Sequence, residues 1–421
     1  MNDSHPVQLV VEDDLRRSRL TVFFRLLLAI PHIVWLFLWS IAIVFAAIVN
    51  WFATLVAGRP PESLHRFMSS YIRYVTHLTA YLALTANPYP GFVGEEGEYP
   101  VDVKLPPPGP QERWKTLLRL VLAVPALLVS ATLGLGALSS SYGRRGKTYS
   151  ASSAGALAAV CGFLGWFASL ARGQMPKGLR DAGAYGVGYS AQALAYLLLV
   201  TDRYPNADPT ALLATVERPP QHPVYLVGDA HDLRRSRVLV FFRLPLAIPH
   251  LVWLALWTVA AIVVGILNWF ATLFTGRPPR SFHRFLGAYV RYTLHVYAFV
   301  YLAANPFPGF VGEVGRYPLD VILPEPQRQS RWLTGFRIFL AVPALIVSGV
   351  LGWALAVAAI LTWFVALIRG AAPWGLRNLS AYALRYAAQV NAYVFLLTDR
   401  YPHASPLEGA DETQLSFDDP E

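Results

Sequence analysis

Long apolar segments alternate with amphipathic segments along the whole chain. Two apolar runs of 25 residues, Ile33–Ala57 and Leu251–Thr275, are each long enough to cross the roughly 30 Å of hydrocarbon in a bilayer. Each run is followed by Gly-Arg-Pro-Pro, which ends a helix because two prolines cannot continue it. A second, amphipathic helix is predicted after each break, for example over Ser63–Ala86. The pattern therefore predicts membrane-embedded helical pairs.

A short stretch in which apolar and polar residues alternate precedes each helical pair. Alternation with a period of two beside a proline predicts an edge strand or a surface strand. The stretches that follow this pattern are Pro6–Val10, Tyr99–Val103, Pro223–Val227 and Tyr317–Val321.

The sequence is duplicated, and each half is duplicated again. Residues 58–106 match residues 276–324 at 30 of 49 positions, with an offset of 218. Each half contains a weaker repeat of one unit. The unit begins with an entry motif such as Phe-Arg at Phe24, continues with a Trp-Phe-Ala segment at Trp51 and ends with a closing Tyr-Pro motif at Tyr89. These repeats predict module one over 1–98, module two over 99–216 with an insertion near 138–158, module three over 217–316, module four over 317–404 and an acidic disordered tail over 405–421.

Together these elements predict an all-α integral membrane bundle with about eight spans, two in each module. The duplicated halves each contain two modules, and a short surface β-strand precedes each module. Module two is irregular because its insertion carries Arg144 and Arg145, and charges are costly at the bilayer centre. No cleavable signal is predicted, since acidic residues 12–14 precede the first apolar run. The basic segment Arg16–Arg19 favours a cytoplasmic amino terminus.

Composition supports a membrane location and excludes several kinds of site. Hydrophobic residues make up 55% of the chain and charged residues 14%, whereas a soluble domain carries about 25% charge. The single cysteine, Cys161, excludes internal disulfides and cysteine-ligated zinc or iron–sulfur sites. The net charge of +9 comes from arginine rather than lysine, a preference typical of GC-rich genomes. Membrane lipids are therefore the predicted partners, and nucleic acid is not.

The second helix of module one carries a polar stripe at membrane depth. At 100° per residue, Arg66, Arg73 and His77 fall within an arc of about 40°. Module three repeats the stripe as Arg284, Arg291 and His295. Ionisable groups are costly in hydrocarbon, so two interpretations stay open. The stripe is either the wetted face of an interfacial helix, in contact with lipid headgroups, or the lining of a polar cavity between the halves.

The first helices of modules one and three carry a second set of polar residues. His32 and Asn50 are 18 residues apart, so they lie on one helix face about 27 Å from each other. Their counterparts in module three are His250 and Asn268. Modules two and four have less polar residues there: Ala126, Gly165, Ala344 and Thr362. The even modules therefore lack the polar interior of the odd ones.

Catalytic and cofactor motifs are missing from the sequence. It contains no Gly-x-Ser-x-Gly elbow, no Walker loop and no dinucleotide fingerprint. The glycines of Gly91–Gly97 follow a helix, whereas a phosphate cradle precedes one. His77 and His295 could meet as paired axial ligands of haem, but no other ligand motif accompanies them. We therefore predict no enzymatic activity, no cofactor and no metal.

Three motifs mark the repeated module: Phe-Arg-x-Leu-Leu-Ala-Ile-Pro-His, Trp-Phe-Ala-x-Leu and the close Thr-Asp-Arg-Tyr-Pro. Together they resemble a bacterial membrane family, the domain of unknown function 4389. The similarity covers four copies: Phe24–Pro90, Leu118–Pro205, Phe242–Pro308 and Phe336–Pro402. The odd modules depart from the family because Asn-Pro replaces Asp-Arg in their close. The resemblance implies a multi-pass membrane protein without an established activity, so it assigns no site residue.

Three classes of function stay open at this point. We expect a structural or lipid-interacting membrane protein without catalytic turnover. The alternative is a transporter or permeation pathway along the interface of the two halves, because duplicated halves are a known transporter layout. A membrane enzyme or redox protein is the third class.

Overall fold

The computed structural model describes residues 5–136, 156–228 and 233–409. The chain divides into two compact units: Met1–Glu217 with Ser405–Leu407, and Arg218–Ala404 with Glu408–Glu421. Most of the predicted insertion and residues 410–421 of the predicted tail lie outside the described residues. Both units are mostly helical, and each contains one small sheet.

Among the described residues, three helices are long and apolar enough to cross a membrane. They are α2 (Arg25–Ala57), α10 (Arg243–Thr275) and α12 (Arg331–Arg369). The corresponding chain in module two forms two shorter apolar helices, α5 (Arg119–Leu133) and α6 (Leu157–Arg172). α2 ends at Gly58, whose φ of 74° lies in the left-handed region that glycine adopts without Cβ strain.

Four helices of 21 residues follow these apolar helices. They are α3 (Glu62–Leu82), α7 (Lys177–Leu197), α11 (Arg280–Val300) and α13 (Trp374–Val394). A proline precedes each of them, which stops the previous turn from continuing. Their polar residues keep them from qualifying as apolar spans. The described residues therefore contain three candidate spans, and the prediction of about eight is not supported.

The predicted short strands are confirmed, and they pair within each unit. β1 (Gln8–Val11) pairs antiparallel with β2 (Val101–Lys104), with Leu9 opposite Val103. β3 (Tyr225–Gly228) pairs in the same way with β4 (Leu319–Ile322). The side chains of Leu9 and Val103 are buried, because period-two alternation turns one face of the strand towards the core.

Each unit is built in layers. In the first unit α3 packs against α2 on one side and against β2 on the other. α7 packs against α3, α5, α6 and β1. The start of α3 lies near the end of α7, because His65 Nε2 is 3.4 Å from the Val200 carbonyl oxygen. α3 and α7 are therefore antiparallel and form a middle layer between the apolar helices and the sheet.

The second unit repeats this layering. α11 packs against α10, α13 and β4, and α12 packs against α13. His283 Nε2 lies 3.4 Å from the Leu397 carbonyl oxygen, so α11 and α13 are also antiparallel. The short helices complete the two units: α1 (Arg19–Phe23), α4 (Arg113–Leu117), α8 (Pro209–Leu212) and α9 (Arg237–Phe241).

Candidate functional site

The polar stripe of α3 lies against the second strand of its own unit. His77 Nε2 is 2.8 Å from Asp102 Oδ1, and the imidazole stacks on the Tyr99 ring at 4.9 Å. Arg73 donates to the Val103 carbonyl at 3.4 Å and to the Glu96 carboxylate at 2.7 Å. The stripe therefore holds the sheet on the middle helix.

Asp102 is the centre of this contact. Its Oδ2 accepts the Gly97 N–H at 2.8 Å, and its Oδ1 accepts the Val103 N–H at 2.7 Å. Burial alone would raise the pKa of Asp102, but the hydrogen bonds from His77, Gly97 and Val103 outweigh burial and lower that pKa. The carboxylate is therefore held in its charged form.

The second unit reproduces the contact with one change. Asp320 Oδ1 lies 3.2 Å from His295 Nε2 and 3.1 Å from Arg291 Nε. Position 314, which corresponds to Glu96, is a valine, so Arg291 pairs with Asp320 instead. Burial opposes the ionisation of Asp320, but hydrogen bonds from His295 and the backbone, together with the Arg291 charge, lower its pKa.

Arg66 and Arg284 stand apart from these clusters. Both are exposed, and Arg66 pairs with Glu62 at 3.1 Å. The structure thus places Arg73 and His77 against β2, and it places Arg291 and His295 against β4. The first arginine of each stripe is exposed and, among the described residues, makes no hydrogen bond to a strand. A headgroup or cavity role for the six residues stays a prediction.

His32 lies in an aromatic setting at the start of α2. Its side chain is fully buried, and Nδ1 is 2.9 Å from the Tyr74 hydroxyl. The ring stacks on Phe92 with centroids 4.2 Å apart. Nε2 has no hydrogen-bond partner among the described atoms. The segment after α3 is thereby held against the start of α2.

The other first-helix polar residues have separate partners. His250 repeats the setting of His32, with Tyr292 at 2.8 Å and Phe310 stacked at 4.2 Å. Asn50 donates to the Leu198 carbonyl at 3.2 Å, and Asn268 donates to the Phe395 carbonyl at 3.0 Å. Both carbonyls lie just past the ends of α7 and α13. The histidines and asparagines therefore serve different contacts and do not form one site.

Four buried arginines, one from the entry of each module, are sites that the sequence interpretation missed. They are Arg25, Arg119, Arg243 and Arg337. Three of them donate to carbonyls at or just past the end of the second helix of their module, as Arg25 does to the Ala86 carbonyl at 3.1 Å. Each guanidinium also stacks on an aromatic ring of that helix, at 4.1–4.4 Å. A cation at the negative end of a helix and over a ring is stabilised twice.

The closing motif determines which group pairs with the buried arginine, and this group differs between odd and even modules. In the even modules the motif supplies a carboxylate, since Arg119 lies 2.9 Å from Asp202 and Arg337 lies 3.1 Å from Asp399. In module one Asn87 stands there instead and offers its carbonyl to Arg25 at 3.3 Å. The joint presence of an arginine at the module entry and Asp-Arg-Tyr-Pro at its close is the sequence signal for this pair.

A second missed feature lies at the exposed ends of the apolar helices. Arg113 donates to the Val56 carbonyl at 3.1 Å, Arg19 to Ala171 at 3.1 Å and Arg237 to Ile368 at 2.9 Å. Each of these helix ends also carries its own exposed arginine beside the terminal glycine. The resulting exposed pairs are Arg59 with Arg113, Arg172 with Arg19, Arg369 with Arg237, and Arg277 with Arg331, which lies beside Gly276.

Within the described ranges, none of these eight arginines forms an ion pair with a carboxylate. Each pair instead combines two guanidinium groups at the end of an apolar helix. Guanidinium offers a planar fork of donors that matches phosphate.

The described parts of the chain contain no group of three or more His, Cys, Asp or Glu side chains that could hold a metal ion. A cavity of about 630 Å³ in the second unit is lined by polar groups that include His222, Asp399 and Arg400. A cavity of about 200 Å³ between α3, α5 and α7 is lined mainly by apolar and hydroxyl side chains. Its lining includes Thr76, Ser130 and Ser190 but no charged residue.

Comparison with known proteins identifies a family and no individual relative. A family profile described as Domain of unknown function (DUF4389) matches residues 19–94, 150–207, 237–311 and 331–405. These four matches cover more than half of the chain. No curated protein and no solved structure matches it.

Proposed function

The chain belongs to the DUF4389 family, of which it contains four copies, and from this premise we propose that it is a lipid-binding membrane protein without catalytic turnover. Its location would be a bacterial inner membrane, with the amino terminus in the cytoplasm. The bound lipids would be anionic phospholipids, whose phosphates pair with the arginines at the ends of the apolar helices.

The exposed apolar surface is the observation that carries this proposal. Along α2 the exposed large side chains run from Leu26 at 74% to Val56 at 76%. α10 exposes leucine, isoleucine, valine and phenylalanine in the same way, and α12 exposes them over a smaller share of its length. Soluble monomers rarely expose a contiguous apolar patch larger than a few hundred Å². Acyl chains are the natural cover for a surface of this length.

The arginine pairs add the choice of headgroup. Each pair sits where an apolar helix meets polar surroundings, as Arg59 and Arg113 do at the end of α2. A basic residue near an anionic membrane surface contributes about 1 kcal/mol to binding. Two such residues at one phosphate favour an anionic lipid over a zwitterionic lipid by about 2 kcal/mol, roughly 30-fold.

The polar stripes remain the alternative headgroup site. Arg66 and Arg284 are exposed and could contact phosphate, but Arg73 and Arg291 already pair with Glu96 and Asp320. A pair of arginines without a carboxylate offers more positive charge to a lipid than an arginine that is already paired. We therefore place the headgroup contacts at the helix ends.

Lipid competition in nanodiscs tests the proposal. The chain is reconstituted in phosphatidylcholine discs with a small fraction of phosphatidylglycerol, and bound lipids are counted by native mass spectrometry. The variant Arg59→Gln, Arg113→Gln, Arg277→Gln, Arg331→Gln should lose the preference for phosphatidylglycerol by roughly 30-fold at each of the two altered sites. The matched control Arg66→Gln, Arg284→Gln should keep it. Equal retention in both variants contradicts the proposal, and loss in the control alone assigns the site to the stripes.

A further inference from the structure

The apolar helices are longer than a membrane is thick. The exposed apolar stretch of α2 runs from Leu26 to Val56, which is roughly 45 Å at 1.5 Å per residue. The hydrocarbon core is about 30 Å thick. A spanning helix would need a tilt of roughly 50° to bury this stretch, beyond the observed range of about 0–40°. In α12 the exposed stretch from Trp332 to Ile368 is longer still.

A charged layer also runs beside the middle of α2. Ser40, near the midpoint of α2, hydrogen-bonds to the Tyr71 hydroxyl at 2.8 Å. Arg73, two residues further along α3, pairs with Glu96, whose side chain is 67% exposed. If α2 stood upright, this carboxylate would face the bilayer centre. A charge at that depth is strongly disfavoured.

The second unit has the same conflict. Thr258, near the midpoint of α10, hydrogen-bonds to the Tyr289 hydroxyl at 3.0 Å. Arg291 follows two residues later and pairs with Asp320. The loop before β4 adds an exposed ion pair between Arg316 and Glu313. In both units, therefore, the polar layer lies along the length of an apolar helix rather than at its ends.

We infer that each unit lies flat in a single leaflet, with α2, α10 and α12 in the plane of the membrane. The inference rests on the proposed lipid-binding function and specifies the surface that meets the lipid. The apolar helices contact acyl chains over their whole length, and the sheet with its charged loops faces water. An amphipathic slab of this kind satisfies both surfaces without a tilt or a buried charge.

Exposed tryptophans lie along the border between the apolar helices and the polar layer. Trp35 donates from its indole N–H to the Phe92 carbonyl at 2.9 Å, and both side chains are exposed. Trp253 and Phe310 repeat this contact at 3.0 Å. Tryptophan collects at the headgroup level of membranes. Here it sits ten residues inside α2 and α10, as expected when the boundary runs along the helix.

Cysteine labelling from the two sides of the membrane tests the inference. Single cysteines are placed in a Cys161→Ala background, which removes a fully buried thiol. Ser18→Cys precedes α2 and Ser63→Cys follows it, and both serines are exposed. Ser236→Cys and Ser281→Cys are the equivalent exposed positions around α10. A membrane-impermeant maleimide is applied to spheroplasts and, separately, to inside-out vesicles.

A flat slab predicts that both cysteines of each pair react from the same side and from that side alone. Glu96→Cys should react from that side as well, whereas Phe45→Cys, on the exposed apolar face of α2, should be inert from both. Reaction of Ser18→Cys and Ser63→Cys from opposite sides overturns the inference and leaves lipid binding standing. Inertness of Glu96→Cys from both sides also counts against it. Recovery of the wild-type chain in the soluble fraction would instead refute the proposed function.

Discussion

The indole of Trp51 donates a hydrogen bond of 2.7 Å to the main-chain carbonyl of Thr116, which lies in the next module. Trp166 returns the contact to Val22 of the first module at 2.9 Å. In the second unit Trp269 and Trp363 make the same exchange with Thr334 and Val240. Each module therefore anchors its partner within the unit, and the unit rather than the module is the compact structure.

Removing one of these anchors should destabilise the whole unit. Trp51→Phe keeps most of the ring but leaves the Thr116 carbonyl without its donor, at a cost of about 1–2 kcal/mol. Trp166→Phe should cost about the same because the contact is reciprocal. Thermal unfolding in detergent measures both. Trp353→Phe, at an exposed position of α12, is the control and should leave the midpoint unchanged. A midpoint shift in the control equal to those of the anchor variants would contradict the explanation.

The buried arginines allow opposite substitutions in odd and even modules. Asp202→Asn removes the carboxylate that lies 2.9 Å from the buried Arg119, and we expect a loss of about 2 kcal/mol. In the wild type, Arg25 donates to the main-chain oxygen and to the side-chain amide oxygen of Asn87. Asn87→Asp replaces that amide with a carboxylate. That variant should be neutral or more stable. Midpoints of thermal unfolding distinguish the two, and a destabilised Asn87→Asp variant would show that Arg25 needs no further charge.

Periodicity predicted the helices and strands because it reports local geometry. Alternation predicts a strand at Tyr99–Val103, and the structure has β2 there, over Val101–Lys104. The end of α2 just before Gly58 follows from Gly-Arg-Pro-Pro in the same way. Such features depend on neighbouring residues in the chain, which the sequence displays directly.

Long-range pairing could not be derived from periodicity. The helical wheel grouped Arg66, Arg73 and His77 on one face, but it contains no term for Asp102, which approaches from a strand 25 residues beyond His77. The prediction of about eight spans is not supported for a related reason. The second helices are half polar because a sheet covers them, and hydropathy along the chain cannot reveal that cover.

The strand contact should be more important in the second unit than in the first. In Asp102→Asn the new amide N–H₂ faces the Gly97 N–H that Oδ2 now accepts, which leaves two donors opposed and costs about 2 kcal/mol. Asp320→Asn meets the same clash with Gly315 and also removes the charge partner of Arg291. We expect it to lower the unfolding midpoint further. Glu96→Gln, at an exposed ion pair, is the control and should have a smaller effect than either variant. A larger loss for Asp102→Asn than for Asp320→Asn would contradict the ranking.

Acid should release the sheets from the middle helices. The pKa of Asp102 and of Asp320 is lowered from 3.8 in the folded chain, so each carboxylate adds stability that is complete above about pH 4. That stability is lost as the pH falls through the lowered folded value. Burial lowers the pKa of histidines such as His65. Their protonation therefore already reduces the stability of the folded chain as the pH falls below 6.5. The double variant Asp102→Asn, Asp320→Asn should therefore show a smaller drop in midpoint than wild type below pH 4, and equal drops would contradict this assignment.

The loop that places Phe92 on His32 depends on one glycine. Gly94 has a φ of 67°, and a Cβ there would lie 2.3 Å from the Ser70 carbonyl oxygen and 2.7 Å from the Tyr74 nitrogen. Gly94→Ala must therefore move the loop away from α3, and we expect a loss of about 2–4 kcal/mol. Gly97→Ala is the matched control, because Gly97 has a φ of 77° with no atom within 4 Å of its Cβ position. It carries only the backbone strain of about 1–2 kcal/mol.

The difference in stability between these two variants separates the steric clash of a Cβ at position 94 from the backbone strain that both variants share. Unfolding midpoints should fall further for Gly94→Ala than for Gly97→Ala, and tryptophan fluorescence should change only in the former, because Trp35 donates to the Phe92 carbonyl. Gly312→Ala should repeat the larger loss in the second unit, where a Cβ would lie 2.6 Å from the Ala288 carbonyl oxygen. Equal losses for Gly94→Ala and Gly97→Ala would mean that the loop moves freely on α3. The contact between His32 and Phe92 would then depend on the aromatic stack alone.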